Sequence, residues 1–142
     1  MDNGITRVLS IDGGGIKGVL PAAFLAEVEA ATGKRVVDHF DVIAGTSTGG
    51  IIALGLGLGL SAREIMDFYL NKGAEIFYQH LPPSSVWGRV GAITRKYLRN
   101  TRHILMPKYE SERLRHALTD AFGERTLGES QTRLVIPAYH AL

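Results

Sequence analysis

Phe40-Asp-Val-Ile-Ala-Gly-Thr-Ser-Thr-Gly-Gly50 is the stretch on which the fold turns. Phe40 to Ala44 reads as a short apolar strand, and an apolar helical run through Leu54 follows the glycines. Between them, Gly45-Thr46-Ser47-Thr48-Gly49 fits G-x-S-x-G, a sharp turn that lifts a serine hydroxyl above the end of a parallel sheet. Glycines two residues to either side let strand and helix crowd around that serine. The plainer reading of the same residues is a glycine-rich turn carrying a structural serine. The strand before and the helix after are the context that the catalytic reading requires.

The stretch also opens a run of 21 uncharged residues, Val42 to Ala62, long enough to cross a bilayer. Six glycines, two threonines and two serines interrupt it. A buried strand, turn and helix accounts for it better than a membrane span.

Working outward, Arg7 to Ile11 reads as another buried strand, ending in Gly13-Gly14-Gly15-Ile16-Lys17-Gly18. Pro21 suits a first helical turn, and Ala22 to Thr32 is rich in helix formers, with Leu25, Val28 and Ala31 predicted on one face and Gly33 as the cap. Ser61-Ala-Arg-Glu64 is a capping box, so a helix starts there and continues through Ile65, Phe68, Tyr69, Lys72 and Ile76. Helical spacing fails from Leu81 to Pro107, which reads as a surface excursion. It returns with Leu114, Ala117, Leu118, Ala121 and Phe122, closed by Gly123. Arg133 to Tyr139 reads as a third strand. Strand, glycine loop and helix, repeated, predict an α/β fold with a mostly parallel sheet, whose ligands bind at the carboxyl ends of the strands. Both glycine clusters lie at such ends.

The Gly13–Gly18 cluster admits two functions. It satisfies G-x-G-x-x-G, the dinucleotide fingerprint, which wants an acidic residue at the far end of the second strand. Asp38 and Asp41 precede or open that strand, so the ribose anchor is missing. A Walker loop is excluded, because neither cluster runs into Gly-Lys-Ser/Thr. The alternative is an oxyanion hole: successive amides at a helix start converge on developing negative charge, and Lys17 adds positive potential. One such donor is worth about 2.7–4 kcal/mol in the transition state. A nucleophilic Ser47 beside a donor loop explains both clusters at once.

Composition sets the bounds. Seventeen glycines in 142 residues is an excess, and it is concentrated in these two clusters. With no cysteine, disulfides, thiol chemistry and Cys-ligated zinc are excluded. No metal site or cofactor is predicted, since no His-x-x-x-His pair is present. The first ten residues show no signal-peptide pattern, so a cytoplasmic location is expected. Residues 1–80 carry six Lys/Arg against nine Asp/Glu, while 81–142 carry ten against five. The basic stretch Arg89–Arg115, with Tyr97 and Tyr109, could face anionic lipid headgroups, nucleic acid or a nucleotide effector, or be a solvated face. A Ser47, Asp120, His140 order would fit an α/β-hydrolase triad, although nothing local supports His140, and His39, His80, His103 and His116 read as surface residues.

Asp12-Gly-Gly-Gly-Ile-Lys-Gly18 followed by Asp41-Val-Ile-Ala-Gly-Thr-Ser-Thr-Gly-Gly50 resembles the patatin-like phospholipase family, and the resemblance covers essentially the whole chain. It implies a three-layer α/β/α core and a lipid acyl hydrolase acting on glycerolipid or phospholipid, with peripheral membrane contact and no nucleic acid. It assigns Ser47 as nucleophile, Gly45, Thr46, Thr48 and Gly49 as its elbow, and Gly13, Gly14, Gly15, Ile16, Lys17 and Gly18 as the oxyanion loop. Family members pair the serine with an aspartate in Asp-Gly-Gly or Asp-Gly-Ala. After Ser47 this chain has only Asp67 and Asp120, neither followed by glycine, and both fall on amphipathic helices. The expectation is therefore that residues 1–142 are the N-terminal part of a single, longer domain. Bacterial members of this form include effectors switched on by cyclic nucleotides. The competing expectations are a non-catalytic lipid-binding remnant and, behind it, a Rossmann domain.

Overall fold

Val8–Ile11, Val42–Gly45 and Arg133–Val135 form three strands, β1, β2 and β3, in a computed structural model that describes residues 4–77 and 111–138. All pair in parallel, in the order β1-β2-β3, with Leu9 beside Ile43 and Ile43 beside Leu134. Side chains alternate across a strand, so this register puts Leu9, Ile11, Ile43 and Leu134 on one face. Those four belong to a single core with Ala22, Leu25, Ala26, Val36, Ile52, Ala53, Leu56, Ile65 and Tyr69. The opposite face carries Val8 and Val135, 55% and 50% exposed. The sheet and one helical layer are thus seen among the described residues. The α/β class and parallel topology are as expected; the second helical layer of the three-layer expectation is not seen in them.

Helices follow β1 and β2. A 3₁₀ turn, Gly15–Gly18, leads into α1, Val19–Thr32, and Gly33 closes it at φ +66° with its N–H on the Glu29 carbonyl. Pro21 lies in the first turn, where a missing N–H is harmless. The buried side of α1 is Ala22, Leu25 and Ala26, with Val28 half-buried and Ala31 exposed, so the predicted stripe was rotated. The reason is the small Ala22–Ala26 pair, which allows close packing against the helix Ala62–Phe77. A short helix α2, Val36–His39, was not foreseen; it delays β2 until Val42.

The helix α3, Thr48–Gly57, is buried on nearly every side. This explains its apolar, charge-free sequence without a membrane. Among the described residues no helix is long and apolar enough to cross one. The last carbonyls of this region are capped from outside: Arg35 donates to Gly59 O, Arg125 to Leu58 O at 3.1 Å, and Gln131 N–H to Gly57 O at 2.8 Å. Cationic caps suit the negative end of a helix dipole, whose positive end here faces Ser47.

Helix α4, Ala62–Phe77, begins at the predicted capping box: the Glu64 carboxylate accepts from Ser61 N–H (2.8 Å) and Ser61 O–H (2.7 Å). Ile65, Tyr69 and Ile76 are buried as expected, while Lys72 is exposed. The Glu29 carboxylate caps two helices at once, accepting from Val36 N–H at 3.1 Å and Ala62 N–H at 2.8 Å. Helix α5, Ser111–Phe122, ends at Gly123, whose N–H reaches Thr119 O at 2.8 Å. The third strand is three residues, shorter than predicted. The excursion expected over 81–107 and most of the basic stretch lie outside the described residues.

Candidate active site

β1 and β2 are neighbours and run the same way, so Ile11 pairs with Gly45 at their common carboxyl end. The chain leaves β1 into the glycine loop and leaves β2 into the Ser47 turn. Thr46 N–H then donates to Ile11 O at 3.3 Å, tying the two exits together.

Ser47 stands at φ 53°, ψ −123°, the only non-glycine residue at positive φ among those described. Such a conformation costs on the order of 1–3 kcal/mol and persists only where the surroundings impose it. Here they do. A Cβ on Gly45 would lie 2.2 Å from Gly49 O, and one on Gly49 would lie 2.0 Å from Ile11 O. Strand and helix are pressed together through both flanking glycines, and the serine between them is forced outward. It is exposed, and among the described residues its hydroxyl has no hydrogen-bond partner.

The glycine loop lies directly against it. A Cβ on Gly13 would be 2.8 Å from Ser47 Cβ and 3.5 Å from Ser47 Oγ. Gly13 N–H donates to Thr46 Oγ1 at 3.3 Å, and Gly14 N–H to Thr48 Oγ1 at 2.9 Å. Lys17 N–H turns back to Gly14 O at 3.3 Å. Gly15 takes φ +60°, which swings the chain into the 3₁₀ turn. The amides of Gly15 and Ile16 make no hydrogen bond among the described residues. Of the six loop residues singled out in the sequence, Gly13, Gly14 and Lys17 thus have amides engaged within the protein, and Gly18, which ends the 3₁₀ turn, is buried against Tyr69. Lys17 is exposed beside them.

The other candidates are elsewhere. Asp67 and Asp120 are exposed on α4 and α5. Asp41 accepts from Arg7 N–H at 2.7 Å and Asp38 from Arg35 N–H at 2.9 Å, both at the far end of the sheet from the glycine loop. That arrangement leaves the dinucleotide reading without its acidic anchor. His39 Nε2 pairs with Thr32 Oγ1 at 3.1 Å, and His116 is exposed on α5. His80, His103 and His140 lie outside the described residues. Among those described, no three His, Asp or Glu side chains gather as metal ligands.

Sequence reasoning missed Tyr69. It is 1% exposed, and its hydroxyl donates to Thr48 O at 3.0 Å. Burial pushes its phenol well above the ordinary value, so it stays a proton donor. Its helical spacing marked it only as core; its polar partner lies 21 residues away.

Comparison with known proteins covers the stretch of chain that holds these residues. The family model for patatin-like phospholipase matches residues 9–140. Over 93% of its length the chain is 34% identical to a cGAMP-activated phospholipase of Pseudomonas aeruginosa, and over 92% it is 36% identical to one of Vibrio cholerae. Over 95% it is 37% identical to patatin-like protein 2 of Arabidopsis thaliana. The matched regions are 35%, 37% and 34% of those relatives, so the chain spans about a third of their length.

Proposed function

The chain belongs to the patatin-like phospholipase family, and from that premise we propose that the protein is a serine lipid acyl hydrolase whose nucleophile is Ser47. Residues 1–142 are then the N-terminal part of one longer catalytic domain, working in the cytoplasm on glycerolipid or phospholipid at a membrane surface. The observation that carries the reading is Ser47 at positive φ, exposed, with Gly13 of the adjacent loop packed against it.

In this mechanism Ser47 Oγ attacks the acyl carbonyl and its proton passes to a base. On the family resemblance we assign that base to an aspartate outside residues 1–142. The C=O electron pair moves onto oxygen, and the amides of Gly15 and Ile16 donate to the resulting oxyanion, with Lys17 adding positive potential. Collapse expels the glycerolipid alcohol, which takes back the proton. Water then hydrolyses the acyl-serine by the same route, returning the free fatty acid. Nothing in these steps calls for a metal or an organic cofactor.

The names of two relatives support a regulatory proposal, that a cyclic dinucleotide raises turnover of the whole protein. Hydrolysis of a short-chain ester and of phospholipid vesicles by the full-length protein tests both parts. Acylation of Ser47 detected by mass spectrometry is expected, and turnover that survives Ser47→Ala would exclude the mechanism. Stimulation by cGAMP is expected in the same assay, and its absence would remove the effector alone.

A further inference from the structure

The glycine loop is held from two directions, and one buried pair does most of the holding. Thr48, the first residue of α3, is 2% exposed. It is the one buried polar side chain other than Tyr69 within the packed core of the described residues. Its hydroxyl accepts the Gly14 N–H, while its carbonyl accepts the Tyr69 hydroxyl. The Tyr69 ring meanwhile lies against Gly18, where a Cβ would meet ring carbons at 3.0 Å. One side chain of α4 thus touches the elbow on one side and the loop's exit on the other. Phe68 meets its ring edge-on at 5.7 Å, and Phe77 stacks on it at 6.2 Å, so the ring is held in place. One turn further along α4, Gly73 leaves room for the Ile16 side chain.

We propose that Thr48 and Tyr69 are positioning residues that fix the glycine loop relative to Ser47. The inference rests on the serine mechanism above and goes beyond it, since neither residue touches the reacting atoms. An oxyanion donor acts only within about 2.7–3.1 Å of the developing charge. The loop itself is glycine-rich and, at Gly13 and Gly14, exposed, so its geometry must be imposed from outside. The hydroxyl of Thr48 fixes where Gly14 sits, and the amides of Gly15 and Ile16 follow directly after it. Tyr69 fixes Thr48 in turn and blocks the loop's other end from shifting inward. A misplacement of about 1 Å at such a site can cost on the order of 10²-fold in rate.

The test uses the full-length protein carrying Thr48→Val, Thr48→Ser, Tyr69→Phe or Ser47→Ala. Thr48→Val keeps the shape and removes the acceptor; kcat on a soluble short-chain ester is expected to fall by about 10–100-fold with KM within about twofold. Thr48→Ser, which restores the hydroxyl, is expected to return kcat to within about threefold of the parent. Tyr69→Phe is expected to lower kcat by about 3–10-fold. Hydrogen exchange in the peptide covering Gly13–Gly18 is expected to quicken in Thr48→Val and not in Thr48→Ser, and this arm needs no substrate. Should Thr48→Val not fold, Tyr69→Phe carries both readouts. If Ser47→Ala abolishes turnover while Thr48→Val and Tyr69→Phe lower only the melting temperature, the positioning role is overturned and the serine mechanism stands. If Ser47→Ala keeps turnover, both fall.

Discussion

The two glycine clusters meet at the same edge of the sheet, yet glycine serves a different purpose in each. At the Ser47 turn it provides room: side chains at 45 and 49 would run into backbone carbonyls at 2.2 and 2.0 Å, which cannot yield. In the Gly13–Gly18 loop Gly13 is crowded by backbone in this way, at 2.9 Å from Thr46 O, and Gly14 and Gly18 are not. Gly14 is extended at φ −173°, with its nearest neighbour the Lys17 Cβ at 3.4 Å. Gly15 is there for its positive φ. The elbow is therefore rigid by collision, whereas the loop is soft and takes its shape from hydroxyls on other elements. An arrangement of this kind keeps the Ser47 turn fixed and makes the neighbouring glycine loop depend on packing elsewhere.

That contrast can be broken or sharpened in steps. The largest effect belongs to Ser47→Ala, which in the full-length protein should cut ester turnover by at least about 10³-fold while the fold survives; circular dichroism and a coupled fatty-acid assay report both. Next comes Gly49→Ala, which should cost about 3 kcal/mol by urea unfolding, at the upper end for overpacking. Gly14→Ala should stay within about 0.5 kcal/mol of the parent. Equal losses for the two would erase the distinction between the clusters. Between those two, Gly15→Ala should cost about 1–2 kcal/mol in backbone strain and also lower kcat. Gly33→Ala, at φ +66° with open space around it, should match the strain and leave kcat unchanged. A loss of turnover in Gly33→Ala would mean that the loop responds to general destabilisation.

The smallest effect is a pH dependence far from the site. Hydrogen bonds from the Ser61 N–H and O–H hold the Glu64 carboxyl below its ordinary 4.5. Because the folded value is the lower one, the stabilisation is complete above the ordinary value and disappears as pH falls through the depressed one. The group is exposed, so its share is about 0.5 kcal/mol at most. Glu64→Gln should flatten melting temperature against pH below the ordinary value of 4.5 without touching kcat; an unchanged profile would assign the acid sensitivity to another carboxylate.

Much of this was legible in the sequence. Gly45-x-Ser47-x-Gly49 located the turn, Ser61-x-x-Glu64 the start of α4, and Gly33 and Gly123 two helix ends, because each depends on residues only a few positions apart. The rotated face of α1 was not legible, since Ala22 and Ala26 are small for the sake of a helix some forty residues later. Glu29 capping both α2 and α4, and Arg35 and Arg125 capping the end of α3, were hidden for the same reason.

By itself, then, the sequence determined the order of the elements, the identity of the two loops and the residue at the apex of the turn. Those follow from local sterics and short-range periodicity. Only the tertiary structure decided which amides of the glycine loop stay free, and that Thr46, Thr48 and Tyr69 hold it in place. A hydrogen bond between residues 34 apart, such as that from Gly14 to Thr48, leaves no periodic mark in either segment. It exists because parallel pairing of β1 and β2 brings their two exits to the same edge.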